Sequence, residues 1–392
     1  MNPAVSRHSD RLPILASHWS IDPALTFLNH GSYGAVPNSV LKYQSELRAR
    51  VERDAVRFYK VDLEHLMDDM RAAVGRFVNC PPETLAPIAN ATIAIATILA
   101  HHEFHPGDEI LVTDHEYMSG LNEFQRITAR TGARVVTAAV PFPAGSPDEV
   151  LESIRRAITP RTRFMMVSWI TSATSLIFPI KEIIALARSK GIDLLVDGTH
   201  APGQIPVDIT DLDPDYFVGS FHKWVSAPKG TGFLYVPKHR QEAFRTLCLS
   251  SRGHKIRPDR PLFLRDFDYM GTDDYTPILS VPAAIDVMGS LLPPLTARDT
   301  DGWTNLFARN HATVLQGLEI LHEVVGLPPT APASMTGSMA TLIVPPAPAK
   351  LQGRKTLYDD PLQDALYENH NIVVPIWQFT PASAPTNPPT PP

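Results

Sequence analysis

The sequence is poor in cysteine and in long apolar runs. Only two cysteines, Cys80 and Cys248, occur among its 392 residues, which excludes a disulfide framework and a zinc site built on cysteines. No apolar run approaches the ~18 residues that a membrane span needs. The first 20 residues also lack the apolar core of a signal peptide. We therefore expect a globular, cytoplasmic protein that does not act at a membrane.

An excess of positive charge is missing as well. The sequence has 35 Lys and Arg against 41 Asp and Glu, a formal net charge of −6, so binding to nucleic acid through a basic surface is not expected. Proline, in contrast, is abundant: 38 residues, close to twice the ~5% average. Its densest run, residues 379–392, has no charge and no apolar period, and this composition predicts a disordered tail.

Short apolar runs alternate with helical patterns through the middle of the chain. The predicted strands are residues 110–113, 134–140, 164–168, 193–196, 216–218 and 232–236, and the predicted helices are 93–100, 119–131, 148–158 and 181–190. Strand and helix alternating at such short spacing predict an α/β fold with right-handed crossovers and a mainly parallel sheet covered on both faces. Ligands of such sheets bind beyond the carboxyl ends of the strands.

Three predicted strand ends carry residues capable of chemistry. They are Asp114-His115-Glu116-Tyr117, Asp197-Gly198-Thr199-His200 and Ser220-Phe221-His222-Lys223-Trp224. Asp197 and Lys223 together suit pyridoxal phosphate (PLP), because this cofactor needs an amine for its Schiff base and a carboxylate against its pyridine nitrogen. Its phosphate needs a helix N-terminus, which Asn90-Ala91-Thr92 supplies at the start of the helical run 93–100.

These residues resemble the fold-type-I, class-V-aminotransferase-like PLP enzymes, and most closely the isopenicillin N epimerase group. The matching stretches keep the family order and are residues 27–37, 90–92, 106–110, 113–117, 197–202, 219–224, 227–232 and 271–273. The resemblance implies a PLP-dependent enzyme acting on an amino-acid-type small molecule. It also implies a homodimer with shared active sites.

The domain organisation follows from the resemblance and from the apolar runs. We expect an N-terminal arm (residues 1–45) that folds over the site, and a large PLP-binding domain (46–285) whose sheet has seven strands. A smaller C-terminal α/β domain (286–378) would use a helix at 303–325 and strands at 339–344 and 372–376. The Pro-rich tail (379–392) would follow it.

The resemblance also assigns roles to single residues. Lys223 would form the Schiff base and move the α-proton, Asp197 would pair with the pyridine nitrogen, and His115 would stack on the ring. His200 would lie near the phenolic oxygen of the cofactor. The residues expected at the phosphate are Ala91, Thr92, Ser220, His222 and, from the neighbouring subunit, Thr272. Those expected to line the substrate entrance are Asn29, His30, Tyr33 and Tyr117.

Two departures from the family pattern concern the reaction. Ser175 stands where a glycine is usual, and a serine fits this turn only if its φ is not strongly positive. No arginine follows Trp377, although the family places there an arginine that clamps the substrate carboxylate. Arg57 and Arg252 are candidates for that task by their sequence positions.

The reaction stays open at this stage. Epimerisation or racemisation needs a proton donor opposite Lys223, a role for Tyr117, Tyr33 or His30. A C–S lyase needs only Cα deprotonation and a leaving group. An aminotransferase needs a second half-reaction with a keto acid. A protein that keeps the PLP fold but has impaired turnover is a further alternative, because the carboxylate-binding arginine is missing. Cysteine desulfuration is disfavoured because it requires a thiolate on a late mobile loop.

Reactions and sites of other kinds find no support in the sequence. A serine hydrolase would need a Gly-x-Ser-x-Gly elbow, which is missing. His101, His102 and His105 look like a metal-binding cluster, but they stand at a predicted helix end, where cationic side chains meet the helix dipole. We expect no metal site there.

Overall fold

The computed structural model describes residues 15–254, 257–345, 348–351, 353, 355–358 and 360–380. Its strands are β1 (Thr26–Phe27), β2 (Leu85–Ile88), β3 (Glu109–Thr113), β4 (Arg134–Ala138), β5 (Thr162–Ser168), β6 (Asp193–Asp197), β7 (Tyr216–Ser220), β8 (Gly232–Tyr235) and β9 (Ile372–Val373). Strands β2 to β8 form one seven-stranded sheet in the order β2-β8-β7-β6-β5-β3-β4. Only β8 runs antiparallel to its two neighbours. The predicted mainly parallel, seven-stranded sheet is confirmed.

Helices connect and cover these strands. The α-helices are Asn38–Arg53, Ala55–Arg57, Leu63–Phe77, Ala91–Leu99, Met118–Thr131, Pro147–Ala157, Ile180–Ser189, Ile209–Leu212, Leu262–Asp268, Thr276–Leu279, Val281–Gly289, Trp303–Val325 and Pro361–His370. A π-helical turn, Phe58–Asp62, joins the second and third. Among the residues that the structure describes, no helix is both long enough and apolar enough to cross a membrane.

The central strands are apolar because helices cover both faces of the sheet. Met165 and Val167 of β5 belong to one buried cluster, and Phe164 and Met166 belong to the cluster on the opposite face. Successive side chains of a strand point to opposite faces, so a strand buried on both faces is apolar at every position. The core therefore lies in two layers on either side of the sheet.

The register of the parallel strands brings several chain segments to one edge of the sheet. Ser168 at the end of β5 pairs with Asp197 at the end of β6, and Asp197 pairs with Val218 of β7. The loops that follow β5, β6 and β7 therefore start side by side. This edge is where the polar residues predicted to form the site meet.

The N-terminal arm is fastened to the Lys223 segment. The backbone N–H of Gly34 donates to the carbonyl of His222 over 2.8 Å, and Lys229 Nζ donates to the carbonyl of Gly34 over 2.6 Å. A Cβ atom at Gly34 would lie 2.1 Å from the carbonyl oxygen of Lys223, so only glycine permits this approach. Residues 1–14 of the predicted arm lie outside the described residues.

Two predictions for the C-terminal region are wrong. Residues 339–344 do not form a strand. Apolar character alone does not make a strand, since its backbone needs a neighbouring strand to bond; here the carbonyl of Thr341 instead accepts a hydrogen bond from the Thr330 hydroxyl. The strand predicted at 372–376 is shorter, Ile372–Val373, and it pairs in parallel with β1 of the arm.

The start of the predicted disordered tail also needs correction. The ring of Phe379 lies 4.7 Å from the ring of His115 and 5.4 Å from that of Phe142. Phe379 is apolar and close to two other rings, so burial outweighs the extended preference of its proline-rich surroundings. Residues 381–392 of that tail lie outside the described residues.

Ser175 adopts the conformation that we expected a serine to avoid. Its φ is +58°, the left-handed region that favours glycine. Its hydroxyl lies 2.8 Å from that of Thr341, and its N–H donates to the carbonyl of Thr171. These bonds offset the backbone strain, which is of order 1 kcal/mol, so the expected limit on φ was wrong.

Candidate active site

Lys223 and His200 form the centre of the site. Lys223 follows β7, and its Nζ lies 2.9 Å from His200 Nε2. Burial lowers the pKa of Lys223 to about 8, while the nearby negative charge of Asp197 opposes that shift. A lysine with a pKa this low has a substantial unprotonated fraction near neutral pH, which is the form that attacks a carbonyl carbon.

His200 is buried and neutral. Its Nδ1 accepts a hydrogen bond from the indole N–H of Trp224 over 3.2 Å. Burial lowers the pKa of His200 well below its usual value, and the neighbouring Lys223 and His222 lower it further. Because burial and these two basic neighbours disfavour the charged imidazole, His200 is suited to donate or accept one hydrogen bond as a neutral group.

Asp197 ends β6 and faces the same space. Its side chain is buried, and Oδ1 accepts a hydrogen bond from the backbone N–H of Thr199 over 2.9 Å. The backbone of Asp197 is held on both sides by β5 and β7. The carboxylate is therefore fixed in direction, as a partner for a heterocyclic cation requires.

Buried hydroxyl groups without partners lie next to these residues. Among the described residues, the Oγ of Ser220 and the Oγ1 of Thr199 find no hydrogen-bond partner. A buried polar group of this kind can be satisfied by a bound ligand. Ser220 ends β7 three residues before Lys223, so its hydroxyl fits a phosphate oxygen of the cofactor that the resemblance implies.

A helix N-terminus completes the predicted phosphate region. The side chain of Asn90 caps the helix Ala91–Leu99 by accepting the N–H of Ile93 over 3.0 Å. Thr92 is exposed at this end, and Ala91 is half-buried, so both remain accessible to an anion. Nδ1 of His222 lies 3.1 Å from the carbonyl of Thr231.

His115 stands in a second group at the end of β3. Its Nδ1 lies 2.6 Å from the Thr174 hydroxyl and its Nε2 lies 3.1 Å from the Val140 carbonyl. Burial lowers the pKa of His115, while the hydrogen bond that its ring donates to the Val140 carbonyl and the negative charge of Asp114 oppose that shift. Since both nitrogens have partners, the face of the ring rather than a nitrogen is what His115 can offer a ligand.

Glu116 links this group to Asp197. Its carboxylate accepts hydrogen bonds from the Thr113 hydroxyl over 2.7 Å and from the N–H and hydroxyl of Ser168 over 3.0 and 2.6 Å. Ser168 pairs with Asp197 in the sheet. Burial raises the pKa of Glu116 to about 7, the bonds from Ser168 and Thr113 oppose that shift, and the charge of Asp197 adds to it.

The predicted entrance residues lie on the arm and beside β3. Asn29 Oδ1 accepts the N–H of Ser32 over 3.2 Å, which shapes the loop that precedes Gly34. Burial and the charge of Lys229 lower the pKa of His30. Tyr33 and Tyr117 are 69% and 47% exposed, so each hydroxyl is free to approach a ligand from solvent.

Three predicted residues are not joined to the Lys223 group. Within the described residues, Thr272 is exposed and its hydroxyl lies 2.9 Å from that of Tyr269. Arg252 stacks 4.0 Å above the Tyr269 ring and donates to the carbonyl of Tyr59. Arg57 lies 3.7 Å from Asp62. Both arginines have partners within their own chain, so neither is placed as a carboxylate clamp.

Sequence reasoning missed several contacts of the site. Glu116 and Trp224 stand in the predicted motifs without an assigned role, and Thr174 and Phe379 were not predicted to belong to the site. The position of Glu116 just after a predicted strand could have identified it as a residue of the site. The contact of Thr174 with His115 joins residues 59 apart in the chain, and no local pattern reports such a contact.

Comparison with known proteins agrees with this geometry. The sequence profile of the family described as aminotransferase class-V matches residues 33–269. The chain is 32% identical to the isopenicillin N epimerase of Amycolatopsis lactamdurans over 354 residues, covering 87% of this chain and 86% of that protein. It is 28% identical to a probable chloroplastic L-cysteine desulfhydrase of Arabidopsis thaliana, covering 83% and 69% of the two chains.

A solved structure supports the same fold. The chain matches a mutant of C-DES with glycine covalently linked to its PLP cofactor, with a TM-score of 0.62, 24% identity, and coverage of 71% of this chain and 73% of that one. The resemblance inferred from the motifs is confirmed by the family profile and by the epimerase. The chain belongs to the class-V aminotransferase family of PLP-dependent enzymes.

Proposed function

We propose that the protein binds PLP at Lys223 and epimerises or racemises an amino-acid-type substrate at Cα. When bound, PLP acts as an electron sink for the carbon next to the amine. Lys223 would hold the cofactor and move the α-proton, and Asp197 would keep a positive charge on the ring nitrogen. Ser220, His222 and the N-terminus at Ala91 and Thr92 would hold the phosphate.

The observation that carries this proposal is the Lys223–His200 contact beside Asp197. A lysine with its pKa lowered to about 8 and a buried neutral imidazole 2.9 Å away together form a base able to take a proton near neutral pH. An exposed lysine, whose pKa is about 10.4, has a far smaller unprotonated fraction at that pH. Gly31 of the arm packs against His200 on one side of this pair.

Epimerisation also needs a proton donor on the opposite side of the substrate. The arm brings His30 and Tyr33 towards the Lys223 segment through the bonds of Gly34 to His222 and Lys229. Tyr117 lies at the end of β3, 6.3 Å from the ring of Trp377. Each of the three side chains carries a group that can give up a proton, and a single substitution of each tests this role.

The test follows the α-hydrogen. Purified protein with PLP is incubated in D₂O with separate L- and D-amino acids, and deuterium at Cα and optical configuration are both measured. We expect deuterium at Cα in both enantiomers of a substrate, and conversion of each enantiomer into the other. In Lys223→Ala we expect no deuterium uptake and no change of configuration. Deuterium exchange without a change of configuration would contradict epimerisation, although it would still show that the protein deprotonates Cα.

A C–S lyase is the second candidate, supported by the 28% identity to a desulfhydrase across most of the chain. This reaction needs the same deprotonation followed by loss of a sulfur leaving group. Cysteine and its S-conjugates are the substrates to test, and release of sulfide or thiol together with a keto acid would identify it. A persulfide mechanism receives no support from Cys80, since burial raises the pKa of this thiol to about 12.

A further inference from the structure

The two ring nitrogens of His200 have partners of different kinds. Nδ1 faces the indole N–H of Trp224 over 3.2 Å, and an indole nitrogen can only donate. Nδ1 must therefore carry no hydrogen. A neutral imidazole has one N–H, so the hydrogen of His200 resides on Nε2.

That hydrogen is directed at Lys223. Nε2 lies 2.9 Å from Nζ. An ammonium group has three donors and no acceptor, so a protonated Lys223 would place one donor against another. An unprotonated amine has a lone pair and accepts the hydrogen bond. The contact between His200 and Lys223 therefore favours the neutral amine.

The position of Trp224 is restricted from two sides. A Cβ atom on Gly31 of the arm would lie 3.3 Å from the indole ring and 3.5 Å from the ring of His200. Gly203, with φ +85°, brings its own backbone close to that of Trp224. The indole N–H has little freedom to turn away from Nδ1.

We propose that Trp224 is a positioning residue that holds His200 in the tautomer with hydrogen on Nε2 and thereby favours the neutral amine form of Lys223. This inference builds on the proposed function, in which Lys223 must be a free amine to attach PLP. Asp197 acts in the opposite direction because its negative charge favours the ammonium form. His222 is the other titratable group near the pair, and its proximity lowers the pKa of His200.

The decisive variant is Trp224→Phe, which keeps the aromatic ring and removes the N–H. Without that donor His200 can carry its hydrogen on Nδ1 and accept from an ammonium at Nε2. We expect the pKa of Lys223 to rise by about one unit, the scale of one hydrogen bond. At neutral pH the attachment of PLP to the variant should then slow about tenfold.

The measurement is competitive labelling of the full-length protein freed of PLP. Acetic anhydride modifies only unprotonated amines, and peptide mass spectrometry across a pH series gives the labelling midpoint of Lys223. Trp303→Phe is the control, because the N–H of Trp303, like that of Trp224, donates one hydrogen bond over 3.2 Å, here to the carbonyl of Ile285. It should leave the Lys223 midpoint unchanged.

A double-mutant comparison separates this role from a structural one. In a His200→Ala background, Trp224→Phe should cause no further shift, because the effect passes through the imidazole. An unchanged midpoint in Trp224→Phe, an equal shift in Trp303→Phe, or an equal shift in the His200→Ala background would each overturn the proposal.

Nitrogen NMR provides a test that does not depend on a folded variant. In wild-type protein with ¹⁵N-labelled histidine, His200 should show a protonated Nε2 and an unprotonated Nδ1, and the reverse pattern would overturn the proposal. Neither measurement uses PLP. If the tautomer and midpoint are as expected and PLP still fails to attach to Lys223, the proposed function is wrong and the role of Trp224 stands.

Discussion

Asp197 is a buried carboxylate whose direction is fixed by the N–H of Thr199 and by its two neighbouring strands. Opposite the ring nitrogen of PLP it would stabilise negative charge that develops at Cα. Asp197→Asn keeps the shape and a hydrogen bond but removes the charge. We expect PLP to remain bound while exchange of the α-hydrogen slows by on the order of 10²-fold or more. An Asn variant that exchanges deuterium at the wild-type rate would remove Asp197 from this role.

The ring of Phe379 packs against the buried ring of His115. Burial is the main cause that lowers the pKa of His115, and Phe379 is the aromatic ring nearest to it. In Phe379→Ala the pKa of His115 should rise back towards its usual value, because water can then reach the imidazole. Histidine NMR titration measures this. Trp377→Ala is the control, since Trp377 contacts Tyr117 instead; equal shifts in both variants would contradict the assignment.

At the scale of an element, β3 begins with one buried glutamate, Glu109, and is followed by another, Glu116, and the two have opposite electrostatics. Glu109, at the amino end, has its pKa lowered to about 2, against the effect of burial, by bonds from Thr159, Arg134 and Arg161. Glu116, just past the carboxyl end, forms no ion pair among the described residues. One glutamate stabilises the fold as an anion, and the other is most stable when protonated.

These shifts predict opposite pH dependences. The lowered pKa of Glu109 contributes stability above pH 4.5 that is lost as the pH falls towards 2. The raised pKa of Glu116 reduces stability as the pH rises from 4.5 to about 7, by roughly 3 kcal/mol. Urea unfolding across this range should show that Glu116→Gln removes the loss above pH 4.5. Glu109→Gln should remove the loss below it, and identical profiles for the two variants would contradict this account.

The alternating strands and helices between residues 110 and 236 were predictable because each element is apolar with a clear period and a terminating residue. Strand β2 was not, since Leu85–Ile88 includes Pro87 and finds its partner, β8, far along the chain. Residues 339–344 were wrongly predicted as a strand because they form an apolar run, but among the described residues no other strand lies beside them to accept their hydrogen bonds. Contacts such as Phe379 with His115 depend on the packing of distant segments, which sequence periodicity does not report.

At the scale of the whole molecule, we propose a homodimer in which Thr272 reaches the phosphate of the partner's site. Thr272 is exposed and joins no group at Lys223 in its own chain, as a residue serving a neighbour would. We predict that Thr272→Ala and Lys223→Ala, each impaired alone, complement each other when refolded together. Random pairing should restore about a quarter of the sites, because each mixed dimer has one intact site.

The measurement is α-hydrogen exchange per mole of PLP, with light scattering to establish the assembly. A mixture of Thr272→Ala with itself is the control and should gain nothing. If Thr272 serves the site of its own chain, the mixed sample should recover no activity. A monomer by light scattering would contradict the proposed shared site.

The parallel pairing of β1 with β9 has a consequence for biosynthesis. Thr26 pairs with Ile372, so the partner of β1 leaves the ribosome tens of seconds after it, at ~5–20 residues per second. Lys223 and the sheet that supports it are complete well before that moment. The nascent protein therefore passes through a period in which the Lys223 segment is made but the β1 end of the arm is not yet anchored. PLP that binds during translation would therefore reach Lys223 before β1 pairs with β9.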